Sequence, residues 1–208
     1  MRIIRQLLVL PLAFSVGCAD VEGDGHDHHD HHDHEHEVFT TIILNFSTAD
    51  DPDGVDVVWQ DPSAMSDAIN DGIALSVDTS YDVNLSFLNE YEEPAEDITP
   101  EILDEADEHQ VFFTGAGVIG PATGDNADAL VEHMYADQDP NGLPLGLSNT
   151  VTTLAAGDSE MVITLRHMPL ENGSTIKEAT TADDVASGGF ANIGGANDVQ
   201  VTFDLTVQ

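Results

Sequence analysis

The sequence predicts a mainly β protein: an antiparallel, immunoglobulin-like β-sandwich with one short helix, preceded by a signal peptide and a disordered His/Asp tract. Three observations predict it. Short runs of β-branched and aromatic residues recur from Val38 to the end of the chain, and such residues fit a pleated, half-buried surface. Several runs alternate apolar and polar residues, the period of a strand with one face in a core. Clusters of Asp, Asn, Pro and Gly separate the runs, and these residues favour turns.

The elements follow in order. Val38–Phe46 (VFTTIILNF) reads as the first strand, and Asp50–Gly54 as the turn after it. Val55–Gln60 and Ile73–Val77 are the next strands. Ser80–Leu88 places Tyr81, Val83, Leu85 and Phe87 on one face. Pro94–Glu108 is the one helical stretch. Thr99 is expected as its N-cap, Pro100 as its first helical residue, and Ile102, Leu103 and Ala106 as its apolar face. Val111–Thr114, Leu130–Tyr135, Asn149–Leu154, Met161–Arg166 and Val199–Val207 complete the strands. The last alternates Val201, Phe203, Leu205 and Val207. Phe87, Phe112, Phe203 and Trp59, the one tryptophan, are expected on inward faces. Residues 38–208 are enough for a single β-sandwich domain with one full core.

The first 37 residues differ in kind. Residues 1–17 read as a lipoprotein signal peptide: Arg2 and Arg5 make a positive start, Leu7–Phe14 a short apolar run, and Ser15, Val16 and Gly17 a small-residue cleavage stretch. The apolar run falls short of the roughly 20 residues that span a bilayer. Cys18 ends the stretch and is the only cysteine of the 208 residues, so no intramolecular disulfide can form. Ser15-Val16-Gly17-Cys18 resembles the bacterial lipobox, although Ser15 stands where that pattern usually has Leu. The resemblance implies cleavage before Cys18 and its diacylation, so that several acyl chains hold the protein on a membrane. Residues 18–37 then form a disordered tether, since Ala19–Glu37 has too few apolar residues to offset the entropy of ordering.

Within that tether, His26–Glu37 reads HDHHDHHDHEHE. His26, His28, His29, His31, His32, His34 and His36 supply imidazoles. Asp27, Asp30, Asp33, Glu35 and Glu37 supply carboxylates. Imidazole with carboxylate suits Zn²⁺, and also Ni²⁺ or Cu²⁺. A flexible tract offers many overlapping site geometries, so it should bind several ions exchangeably. The alternative is a solvated acidic spacer with incidental metal affinity.

Forty acidic and four basic residues give a formal net charge of −36. Beyond the signal peptide only Arg166 and Lys177 are Lys or Arg. Such a field attracts cations and repels nucleic acid, nucleotides and anionic lipid. It is also the composition of a highly solvated or halophile-type surface.

Further candidate ligands lie in the body. His109, near Glu105 and Glu108, together with His133 and His167, could converge as a second metal site. Asp137, Asp139 and Asn141, in DQDPNG, open like an oxygen-ligand Ca²⁺ loop, but the twelfth position is Ser148 rather than the closing Glu. Asp51, Asp53 and Asp56 around Gly54 are a weaker version. Gly115–Gly120 matches G-x-G-x-x-G, yet Pro121 and Gly124 forbid the helix that a dinucleotide fold needs there. Neither G-x-S-x-G nor H-E-x-x-H occurs, and a non-enzymatic binding protein is expected.

Pro94–Thr99 through Gln110, Asp139–Thr150 (DPNGLPLGLSNT) and Ile163–His167, in this order behind an acidic His-rich leader, resemble small envelope lipoproteins of Bacteroidota and related bacteria. The resemblance covers most of residues 26–208. It implies a protein exported across the inner membrane and lipid-anchored to the outer membrane, periplasmic or surface-exposed, often near a TonB-dependent receptor, with no established biochemical activity. Ala19-Asp20-Val21-Glu22 likewise resembles the surface-export signals of such lipoproteins. The expected function is a lipoprotein that concentrates divalent metal, Zn²⁺ above all, and supplies a receptor or transporter. The alternative is a structural or adhesion module with the tract as spacer. Cys18→Ser should release the protein from membranes. Retention of the variant on salt-washed membranes would contradict the anchor.

Overall fold

The computed structural model describes residues 38–61, 63 and 69–208. The expected signal peptide, Cys18 and the His/Asp tract therefore lie outside the described residues. The chain from Val38 is mainly β, and its two sheets pack on one shared core.

The first sheet is built on β1 (Thr41–Ser47), which pairs antiparallel with both β2 (Val55–Gln60) and β4 (Ser80–Asn89). Alternation fixes the register. Ile42, Leu44 and Phe46 turn inward on β1, as do Val83, Leu85 and Phe87 on β4, and a one-residue slip would expose either row. β3 (Ile73–Leu75) leaves for the second sheet, whereas β5 (Glu96–Asp97) pairs with the end of β4. β7 (Val118–Ile119), β8 (Val131–Tyr135) and β9 (Ser148–Thr153) complete the first sheet, in the order β2-β1-β4-β9-β8-β7.

The second sheet runs β3-β11-β10-β6. β6 is His109–Thr114, β10 is Gly157–His167 and β11 is Ala196–Val207. Val111, Phe113, Met161, Ile163, Leu165, Val201, Phe203 and Leu205 supply its side of the shared core. The other face of this sheet is covered too. α2 (Thr181–Gly188) and the 3-10 turn Phe190–Asn192 lie over Phe112, with Ala122, Ala182 and Val185 in a second apolar cluster. Phe112 therefore belongs to that cluster, not to the shared core expected for it, and Trp59 is half-buried at the core's margin.

Several expectations are corrected. Among the described residues there are two helices rather than one, and α1 is only Thr99–Asp104. Thr99 is not its cap: Ile98 holds that position and no side chain caps the helix. The Thr99 hydroxyl instead accepts the Phe87 N–H at 2.9 Å, tying the helix start to β4. Ile102 and Ala106 are buried but Leu103 is 59% exposed, so the helix packs on a narrower face. Pairing is not wholly antiparallel: β3–β11 and β7–β8 are short parallel pairs. The glycine-rich run after β6 opens no helix. Gly115 has φ +105°, and a Cβ there would meet the Glu160 carbonyl at 2.7 Å, so this loop is glycine-rich because it lies on β10.

The two cations of the body are both inside. Arg166 donates from Nε to the Gly194 carbonyl at 2.7 Å and from Nη1 to Asn197 Oδ1 at 2.7 Å. Its Nη2 reaches the carbonyls of Phe190, Ile193 and Gly195 at 3.3, 3.1 and 2.8 Å. One guanidinium thus holds the whole segment between α2 and β11 against β10. The approach is tight: Gly195 has φ +81°, and a Cβ there would collide with the His167 carbonyl.

Lys177 is the second. Its Nζ donates to the Ala106 and His109 carbonyls at 2.9 Å each and pairs with Asp139 Oδ2 at 3.1 Å, with both side chains fully buried. Two N–H groups meet carbonyls, and the charge meets its counter-ion. Burial lowers the Lys177 pKa while Asp139 opposes the shift. Removing one partner of such a pair strands the other charge. Asp139→Asn keeps the Oδ1 acceptor but removes the charge and turns an amide N–H donor toward the ammonium, so it should destabilise the fold by about 3–5 kcal/mol in urea. A loss below about 1 kcal/mol, the worth of an exposed pair, would contradict this role.

Candidate metal centre

The register of β6 on β10 makes His167 and His109 direct cross-strand partners. Their rings stack 4.7 Å apart at 11°. α1 ends just before β6, and Glu105, the residue that closes it, lies beside the pair. The Glu105 carbonyl lies 3.2 Å from His109 Nδ1. Glu105, His109 and His167 each offer a ligand atom, all within 4.8 Å of one another. His109 is buried, whereas Glu105 and His167 are half-buried at the rim. Two further carboxylates face the imidazoles: Asp198 Oδ2 is 4.0 Å from His109 Nε2, and Glu108 Oε2 is 3.6 Å from His167 Nε2.

The anchors are rigid. The His109 carbonyl accepts from Lys177, and the Glu108 carbonyl accepts the Met168 N–H at 2.6 Å. Glu108 Oε2 accepts the Leu170 N–H at 3.1 Å. Burial, opposed by the Glu105 carbonyl, lowers the His109 pKa to about 4, so its ring is neutral at pH 7 and its nitrogen lone pair is available.

The expected trio of histidines does not converge as such. His133 faces the core, stacked on Phe113 at 4.1 Å and edge-on to Tyr135. Its Nε2 donates to Asn149 Oδ1 at 2.9 Å. Strand alternation explains this, since Val131 and His133 share the inward face of β8. Glu105 takes the third place. The signal for it in the sequence is its spacing, four residues before His109 across a helix end.

The Asp137–Asn141 loop is not arranged around an ion. Asp137 accepts the N–H groups of Gly146, Leu147 and Ser148 at 2.6, 2.8 and 2.9 Å. Asp139 Oδ1 accepts those of Asn141 and Leu143 at 2.8 and 2.9 Å, and Oδ2 faces Lys177. The side chains that resemble Ca²⁺ ligands are consumed in shaping their own loop, and Asn141 is exposed. In the weaker version, Asp56 Oδ1 accepts the Asn45 side-chain amide at 2.7 Å. The tract histidines His26, His28, His29, His31, His32, His34 and His36 lie outside the described residues, as do Asp27, Asp30, Asp33 and Glu35.

Two open clefts lie elsewhere. One of about 490 Å³ is bounded by Tyr135, Asp137, Pro144 and Asp183, and one of about 580 Å³ by Phe46, Asp56, Asp71 and Tyr81. Neither includes a histidine. Among the described residues no helix is long and apolar enough to cross a membrane. Comparison with known proteins finds no matching family model, no matching curated protein and no matching solved structure.

Both buried imidazoles titrate abnormally. Burial lowers His133 to about 4, against the Asn149 hydrogen bond, as it lowers His109. Unfolded imidazole takes a proton near 6.5. Between those values the unfolded chain binds a proton that the native chain refuses, so native stability falls as pH drops. The loss is on the order of 3 kcal/mol per histidine. With a metal chelator present, the urea midpoint should decline from pH 6.5 to pH 4, and His133→Gln should decline less steeply. An equally steep decline in the variant would contradict this reading.

Proposed function

We propose that this chain is an envelope lipoprotein that gathers divalent transition metal, Zn²⁺ foremost, on the His26–Glu37 tract. It acts as a binding protein, not an enzyme. Cys18 carries the lipid that holds it to the outer membrane, in the periplasm or at the surface. The body is an immunoglobulin-like scaffold that keeps the tract near a receptor or transporter to which ions pass. A TonB-dependent receptor suits the resemblance to Bacteroidota lipoproteins.

One structural observation carries the reading. Arg166 and Lys177 are buried among carbonyls and carboxylates, so among the described residues the exterior presents acids without a single Lys or Arg. Such a surface raises the local concentration of cations of any kind. The tract then adds selectivity, because imidazole favours Zn²⁺, Ni²⁺ and Cu²⁺ over ions that prefer oxygen alone. A body that repels its own acids but leaves none of its cations outside is suited to attract metal rather than an acidic partner.

Calorimetry on the full chain should show more than one Zn²⁺ bound. Affinity should fall steeply between about pH 7 and pH 5.5 as tract imidazoles protonate. Replacing the seven tract histidines by Gln should remove most of the bound zinc. Unchanged zinc binding after that replacement would reduce the tract to a spacer.

A further inference from the structure

The geometry points to a second metal site within the folded body: Glu105, His109 and His167 form a centre for one divalent transition ion. It goes beyond the tract reading and does not depend on it.

Two stretches of chain, the α1–β6 junction and the end of β10, build the centre. Glu105 comes from the end of α1, His109 from the first position of β6, and His167 from the last position of β10. The histidines face each other because the sheet register pairs them. Glu105 joins because it is the first residue past α1, four before the start of β6. Its backbone N–H bonds to the Glu101 carbonyl at 2.9 Å, closing the helix and fixing where the side chain starts. Local helix geometry and long-range strand pairing thus bring ligands of two chemical types to one point.

The donor set decides the ion. Two nitrogens and one carboxylate oxygen, with no thiolate, suit Zn²⁺, Co²⁺, Ni²⁺ or Cu²⁺; Ca²⁺ and Mg²⁺ prefer sites made wholly of oxygen. Tetrahedral zinc with bonds near 2.0–2.1 Å requires donors about 3.3 Å apart. The ligand atoms here lie within 4.8 Å, so binding draws them together. The labour divides by burial. His109 is buried and its carbonyl is held by Lys177, which makes it the fixed ligand. Glu105 and His167, at the rim, close onto the ion.

The surroundings match a ligand site. Asp198 and Glu108 face the Nε2 atoms of His109 and His167 at 4.0 and 3.6 Å. The Glu105 carbonyl, at 3.2 Å from His109 Nδ1, orients that ring and leaves Nε2 to the ion, and the two carboxylates offset the charge of the ion. With three protein ligands, a fourth coordination position stays open to water or to a small donor. That makes the centre exchangeable rather than closed.

The test uses the full chain with His26, His28, His29, His31, His32, His34 and His36 replaced by Gln, and Co²⁺ as probe. A single cobalt ion should bind per chain and give visible ligand-field absorption, undiminished by millimolar Ca²⁺. His167→Gln and Glu105→Ala, both at half-buried positions, should each weaken it at least about tenfold while leaving Trp59 fluorescence unchanged. Zn²⁺ should raise the melting temperature of the tract-substituted chain and not of its His167→Gln derivative, since an ion bound to the native state stabilises it. Absence of the absorption from the tract-substituted chain, or its persistence in His167→Gln, would overturn the centre. The two proposals fail separately: if all metal leaves with the tract histidines, only the centre is lost, and if none leaves, only the tract reading is lost.

Discussion

The fold depends on what becomes of two positive charges. Lys177 places its ammonium where two carbonyls and a counter-ion from separated stretches meet: the Ala106 carbonyl at the end of α1, the His109 carbonyl at the start of β6, and Asp139 in the loop before β9. A buried ammonium is tolerable only when paired and fully hydrogen-bonded, so those stretches must come together if any of them is to be in place. Asp139 in turn fixes its own loop through the Asn141 and Leu143 N–H groups. Arg166 makes the same demand on the segment from Phe190 to Asn197. In a chain so acidic, exposed cations would be the obvious neutralisers of the surface. Here they work as internal fasteners, and the exterior keeps its field.

That arrangement bears directly on the chemistry. His109 is locked because its carbonyl is one of the two that accept from Lys177, and His167 is placed by the strand pair that Arg166 helps secure. The carboxylates therefore play two parts. Asp137 and Asp139 face inward and stabilise backbone geometry. Glu105, Glu108 and Asp198 stand at the rim, where a metal ion can recruit them. Residue type alone does not separate the parts; the direction of each strand and turn does.

The strands were the legible portion. Val55–Gln60 matches to the residue and Ser80–Leu88 falls one residue short of its strand, because alternation records a half-buried strand in the sequence itself. β5 and β7 were too short to leave a period. α2 leaves no signal in the sequence because its residues, TADDVASG, bury only Thr181, Ala182 and Val185 and carry no recognisable apolar face. β6 misled in another way. It is buried on both faces, so its apolar run gave no sign that Phe112 faces a second cluster. Of the candidate centre, two histidines were named from the sequence. Residue type alone also groups His133 with them, because side-chain direction needs a strand's phase, and leaves Glu105 a mere neighbour of His109, because the pairing that adds His167 is a long-range fact. The roles of Arg166 and Lys177 were hidden for the same reason, although rarity in so acidic a chain was itself a clue that each has a fixed partner.

The account stands or falls on metal carried by the protein itself. Elemental analysis of the full chain, isolated without an affinity tag from membranes of cells grown in ordinary medium, measures this most directly. The account predicts more than one transition-metal ion per chain, with zinc the most abundant. Protein that carries only calcium and magnesium, or no metal above the buffer, would contradict it.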